Sequence, residues 1–198
     1  MDHFDVFGLP RRLRVDTAAL QRRFYELSRR HHPDFHHGAS PDAQAVALEA
    51  SARLNAAYRT LRDPVARADY LVRLEEGRET REGATERPPA PPELLAEMFE
   101  IQEALADARA DGLDDAARVD LAAQRESLRG RYQQEEQRLV GPLSEAWDAA
   151  SPAERASVLA ALKRGLATRA YLRTVIDDLT EAIGDADLAT GHGAHHRH

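Results

Sequence analysis

Not one of the 198 residues is a cysteine, which excludes disulfides, thiolate metal sites and cysteine nucleophiles. Aromatic residues are scarce at 6%, so aliphatic side chains must fill most of any core. No apolar run approaches the roughly 20 residues a membrane-spanning helix needs. Basic residues are not in excess: 27 Lys and Arg against 34 Asp and Glu leave a net charge of −7. That balance argues against general nucleic-acid binding, which needs a positive footprint. Alternating β-branched runs are missing, so strands are not expected. There is also no glycine-rich phosphate loop, nucleophile elbow or paired-histidine zinc motif. The sequence therefore predicts neither an enzyme nor a bound cofactor. Its acidic start, Met1-Asp2-His3-Phe4-Asp5, lacks the basic-then-apolar order of a secretory signal, and a cytoplasmic protein is expected.

What the chain does have is helix-forming material. Hydrophobic residues make up 42% and charged residues 31%, with Ala, Leu, Arg and Glu frequent. An all-α fold in two parts is expected. In residues 1–75, Phe4, Phe7 and Leu9 form a short apolar lead stopped by Gly8 and Pro10. Asp16 and Thr17 cap a helix that runs to about residue 31, with Leu20, Phe24 and Leu27 at helical spacing. Pro33 disfavours helix at His32. A polar loop follows, then a helix from near Ala43 carrying Val46, Ala50, Leu54, Ala57, Tyr58 and Leu61. Its length suits antiparallel pairing with the first. Asp63-Pro64 restarts a helix, with Asp as cap and Pro at the first helical position.

Residues 76–92 read as a linker, because Gly77, Gly83, Pro88, Pro89, Pro91 and Pro92 sit among alternating charges. Residues 93–184 then give three helical stretches: 93–110, 114–140, and one opening at Ser151-Pro152 and ending near Gly184. Short connections make them an antiparallel three-helix bundle. Residues 185–198 are a polar, histidine-rich tail expected to be disordered.

Two constellations stand out. With Leu20, Phe24 and Leu27 inward, Arg22, Arg23, Arg29 and Arg30 point outward in adjacent rows seven residues apart. Glu26 can pair with Arg22 or Arg30. Such a face is either ordinary solvated surface or a steering patch for an acidic partner. On the helix from Glu93, the inward stripe is Leu94, Met98, Ile101 and Leu105. Leu95 and Phe99 lie well off it, beside a row of Ala96, Glu100, Glu103 and Asp107. Tyr171 on the last helix also lies off its inward face. An apolar patch edged by carboxylates suits protein docking, or else a helix buried broadly by two neighbours.

The tripeptide His32-Pro33-Asp34, between a basic helix and a return helix, resembles the J-domain signature. That resemblance implies that His32 and Asp34 trigger ATP hydrolysis on a DnaK-type chaperone, with Pro33 stiffening the loop. It also implies a chaperone-binding face of Arg22, Arg23, Arg29 and Arg30. Phe35 stands where many J-domains carry Lys. The lead Asp2-His3-Phe4-Asp5-Val6-Phe7-Gly8-Leu9-Pro10, the stretches Leu61-Arg62-Asp63-Pro64 and Ala68-Asp69-Tyr70-Leu71, and the helix Leu95 to Glu103 extend the likeness. Together they resemble the HscB family, co-chaperones of iron–sulfur cluster assembly. The resemblance implies an HscA-like chaperone partner and an IscU-like scaffold held by Leu95, Ala96, Phe99, Glu100, Glu103, Asp107 and Tyr171. Ala96 is smaller than the residue usual there.

Two other readings remain open at this level. A general J-protein for unfolded clients would share the signature, although the chain has no Gly/Phe-rich segment. His31, His32, His36, His37 and four tail histidines could make a metal carrier, but loop and tail positions offer no fixed frame, and no metal site is expected.

Overall fold

The computed structural model describes residues 1–31, 40–77, 92–112 and 114–191. All secondary structure among these residues is helical, and they group into two compact units. The first unit holds residues 1–85 and 139–163; the second holds 86–138 and 164–198.

In the first unit, α1 (His3–Phe7) is fixed at both ends by its sequence. Asp2 accepts the Asp5 N–H while Asp5 accepts the Asp2 N–H, a reciprocal capping box. Gly8 ends the helix at φ 65°, a left-handed conformation that glycine adopts without a Cβ clash. Helix α2 (Thr17–His31) starts where expected, with the Asp16 carboxylate accepting the Ala19 N–H at 2.9 Å. Helix α3 (Pro41–Arg62) begins two residues before Ala43 because Ser40 caps it and Pro41 takes the first position. Asp63 and Pro64 open α4 (Pro64–Glu75) in the same manner.

Thr17 and Gln21 share a recess with Tyr58 and Arg62, while Leu27 lies by Leu54 and Val46, so α2 and α3 run antiparallel. Phe24 stacks on Tyr58 with centroids 4.1 Å apart. Phe4, Leu20, Leu54, Ala57, Leu61 and Leu71 fill the core. Val46 departs from expectation: it is 67% exposed, and Ala47 is buried instead. Successive four-residue steps each drift about 40° round an α-helix. Two such steps carry Val46 off the buried face.

Residues 139–163 lie in the first unit rather than with the bundle helices. A wide turn, Leu139–Leu143, with Pro142 inside it, separates α6 (Asp115–Arg138) from α7 (Ser144–Ala149). Ser144 Oγ donates to the Leu139 carbonyl at 2.6 Å, and Trp147 is buried. Trp147 Nε1 donates to the Arg11 carbonyl at 3.3 Å, and Arg155 lies over its ring at 5.0 Å. Most telling is Asp148, whose two carboxylate oxygens accept the Leu13 and Arg14 N–H groups at 2.8 and 2.9 Å. The Leu13 carbonyl accepts from Arg67 Nε at 2.8 Å, and Arg67 also donates to the Leu61 carbonyl. Arg67 is buried; burial pushes its guanidinium below the ordinary value, against the opposing pull of Asp63 and Asp148.

The second unit contains α5 (Pro92–Asp111), α6 (Asp115–Arg138) and most of α8 (Arg155–Gly191). Leu94, Met98, Ile101 and Leu105 meet Leu121 and Leu128 of α6 and Leu172, Val175, Ile176 and Leu179 of α8. Ion pairs edge this core: Glu97 with Arg131 at 2.7 Å, and Glu136 with Arg169 at 2.8 Å. The α8 helix passes Gly184, where the sequence predicts its end, and reaches Gly191. A helical glycine costs only about 1 kcal/mol, and Ala186, Leu188 and Ala189 beyond it are good helix formers.

Asp148→Ala removes the acceptor of two N–H groups and is expected to destabilise the first unit by about 1–3 kcal/mol. Urea unfolding followed by Trp147 fluorescence measures this, since Trp147 is the only tryptophan. A second expectation concerns acid. Burial opposes ionisation of Asp2, but the Asp5 N–H and the Arg11 guanidinium outweigh it and hold its carboxyl below the usual value. The folded-state pKa thus lies below the unfolded one. Ionised Asp2 stabilises the fold above about pH 4, and that contribution is lost as pH falls through the folded value. The stability gap between wild type and Asp2→Asn should narrow on acidification in the same fluorescence assay; a gap constant from pH 7 to 3 contradicts the assignment.

Candidate partner-binding surfaces

On α2, burying Leu20 leaves Arg22, Arg23, Arg29 and Arg30 exposed, as the helical spacing predicts. Glu26 pairs with Arg23 at 3.1 Å, a partner the spacing argument did not include. Tyr25, on the same helix, is 57% exposed. Tyr25 sits three residues after Arg22 and four before Arg29, so it occupies the same row. Its spacing was a usable signal: a large ring on a basic outward row has no core to enter. Gln21 Nε2 donates to its hydroxyl at 3.4 Å. The basic row leads to the His32-Pro33-Asp34 segment. These three residues fall within 32–39, outside the described residues.

On α5 the core uses one face completely. Leu94, Met98, Ile101 and Leu105 are all buried, and Glu97 is turned to Arg131. Leu95 is nevertheless 51% exposed and Phe99 71% exposed. Ala96, Glu100, Glu103 and Asp107 are exposed beside them. The helix thus assembles a solvated apolar pair with three carboxylates along one edge. It suits a partner surface with an apolar centre and a cationic rim. Tyr171 differs in kind. Its ring is half-buried and packs against the bundle core, where the sequence reading set it off the inward face of α8.

Among the described residues, no group of three potential ligands is arranged to hold a metal ion. His32, His36, His37 and the four tail histidines lie outside them. No helix among the described residues is long and apolar enough to cross a membrane.

A basic helix leading to the tripeptide and paired antiparallel with α3 defines the class. The family description "DnaJ domain" matches residues 2–70, and the chain is a J-domain protein. The likeness extends well beyond that domain. Over 131 residues the chain is 43% identical to the co-chaperone protein HscB homolog of Ralstonia nicotianae, covering 66% of this chain and 73% of that protein. The chain belongs to the HscB family of J-domain co-chaperones. Chaperone HscB from Vibrio cholerae is a similar solved structure, at 27% identity and a TM-score of 0.54, covering 90% of this chain and 99% of that one. Human co-chaperone protein HscB gives 26% identity and a TM-score of 0.58, over 91% and 81% of the two chains.

The exposure pattern on α5 makes a paired expectation. Phe99→Ala should leave the unfolding midpoint within about 0.5 kcal/mol of wild type, as a surface change does. Leu105→Ala, at the far end of the same helix's buried stripe, should cost about 2–5 kcal/mol through the cavity it leaves. Urea unfolding followed by far-ultraviolet circular dichroism reads both.

Proposed function

We propose that this protein stimulates ATP hydrolysis on a DnaK-type, HscA-like chaperone and delivers an IscU-like iron–sulfur scaffold to it. The hydrolysis belongs to the partner, and this chain performs no chemistry of its own. His32 and Asp34 act as the trigger, Pro33 stiffens their loop, and Arg22, Arg23, Arg29 and Arg30 steer and seat the acidic chaperone surface. Leu95, Ala96 and Phe99 form the apolar centre of the scaffold site; Glu100, Glu103 and Asp107 supply its rim, and Tyr171 supports it from α8. One chain carrying both sites gives the scaffold a high effective concentration beside the chaperone. The site of action is the cytoplasm.

The observation that carries this reading is the exposure of Leu95 and Phe99 on a helix whose inward face is already filled. Membership of the HscB family and the J-domain match over residues 2–70 support the chaperone half. Two variants test the halves separately. His32→Gln should abolish stimulation of the chaperone's steady-state ATPase while scaffold binding stays intact; equal stimulation by variant and wild type refutes the trigger assignment. Phe99→Ala should weaken scaffold binding in calorimetry by about 1–3 kcal/mol, as a hot-spot residue does. Unchanged affinity removes Phe99 from the site.

A further inference from the structure

The first unit contains an apolar recess that lies outside the proposed scaffold site and shares only Arg23 with the proposed chaperone-binding face. It has a volume of about 380 Å³ and lies where the α1–α2 connection meets the start of α2. Phe7, Leu9, Pro10, Val15, Ala19 and Leu20 form its walls. Phe7 and Leu20 belong to the buried core, whereas Leu9, Val15 and Ala19 are half-buried and reach solvent at its mouth. The volume falls near the lower end of the range for ligand-binding clefts, about 300–1,000 Å³.

The rim has a definite charge. Arg12, Arg14 and Arg23 line the recess, against a single carboxylate from Asp16. Asp16 is committed to the helix start, accepting the Ala19 N–H at 2.9 Å. Arg14 and Arg23 pair with Glu145 and Glu26, but these are exposed ion pairs worth little in water and readily exchanged. Arg12 is exposed and has no ion pair among the described residues. In a chain of net charge −7, three arginines around an apolar hollow are a local reversal of sign. The connection is also held in place from beneath, by Asp148 and Arg67 on the Leu13 and Arg14 backbone, so the recess is preformed. Preformed sites bind without first paying the entropy of ordering their walls.

We infer that this recess docks a short extended segment of a partner protein, one that inserts an aliphatic or aromatic side chain flanked by carboxylates. The side chain fills the hollow, and the flanking carboxylates meet Arg12 and Arg14 at the mouth. A cationic segment of the same apolar content is rejected by charge, and an acidic segment without the apolar side chain has nothing to bury.

The test titrates the full-length ¹⁵N-labelled protein with three acetylated, amidated tetrapeptides: Glu-Leu-Phe-Glu, Lys-Leu-Phe-Lys and Glu-Gly-Gly-Glu. Amide shifts centred on Leu9, Val15, Asp16 and Ala19 are expected with the first peptide alone, weakening as salt is raised. Arg12→Glu, a change at an exposed side chain, should weaken that binding roughly fivefold or more. Ala19→Leu, which occupies the hollow from within a helix, should also weaken it while Arg12 is intact. Equal shifts with the lysine or glycine peptide overturn the proposal. So do shifts centred elsewhere, no shifts at all, or undiminished binding by both variants when their amide spectra show the native fold.

Discussion

One residue of backbone, Leu13, has both of its polar groups held by ionised side chains from distant parts of the chain. Its N–H meets Asp148, 135 positions away, and its C=O meets Arg67, 54 positions away. Neither charge can leave without stranding a partner, and a buried donor or acceptor left unsatisfied costs more than the net worth of the bond. This double fastening fixes the chain just before Asp16, where α2 begins. That anchors the approach to α2, and the burial of Leu20 with the stacking of Phe24 on Tyr58 then turns Arg22, Tyr25 and Arg29 outward. The arrangement explains why residues 139–163 belong to the first unit: they bring Asp148 and Trp147 to a connection that short α1 cannot anchor alone.

The second unit works by saturation rather than by fastening. Leu94, Met98, Ile101 and Leu105 meet the aliphatic residues of α6 and α8, and that contact uses up the inward face of α5. Leu95 and Phe99 gain only part of their hydrophobic free energy from folding where they stand. A phenylalanine 71% exposed on a well-formed helix forgoes most of its hydrophobic free energy in the isolated protein. Such a side chain can recover that energy only against another surface. The exposed glutamates beside it give the patch a negative edge.

Local chemistry was legible in the sequence wherever a single residue decides it. Asp16 and Asp63-Pro64 marked helix starts because cap and proline act on their own backbone. The inward stripe of α5 was legible because its spacing leaves one consistent face. What periodicity does not carry is which core an amphipathic face enters, so the stretch around Trp147 was read as bundle. Val46 was misplaced by accumulated angular drift, and Tyr171 because its burial comes from neighbouring helices that its own spacing does not report. Tyr25 was visible in principle, as a ring on a basic row. The continuation of α8 through Gly184 reflects the small penalty glycine imposes when good helix formers follow.

Amide hydrogen exchange at Leu13 and Arg14, read by NMR in the full-length protein, tests the central claim most directly. If the Asp148 carboxylate holds both N–H groups, both exchange more slowly than unprotected loop amides, and the part-buried Leu13 N–H approaches core amides of α4 such as that of Leu71. Exchange at the rate of an unprotected loop would mean that the connection is not fastened, and the approach to α2 would need another anchor.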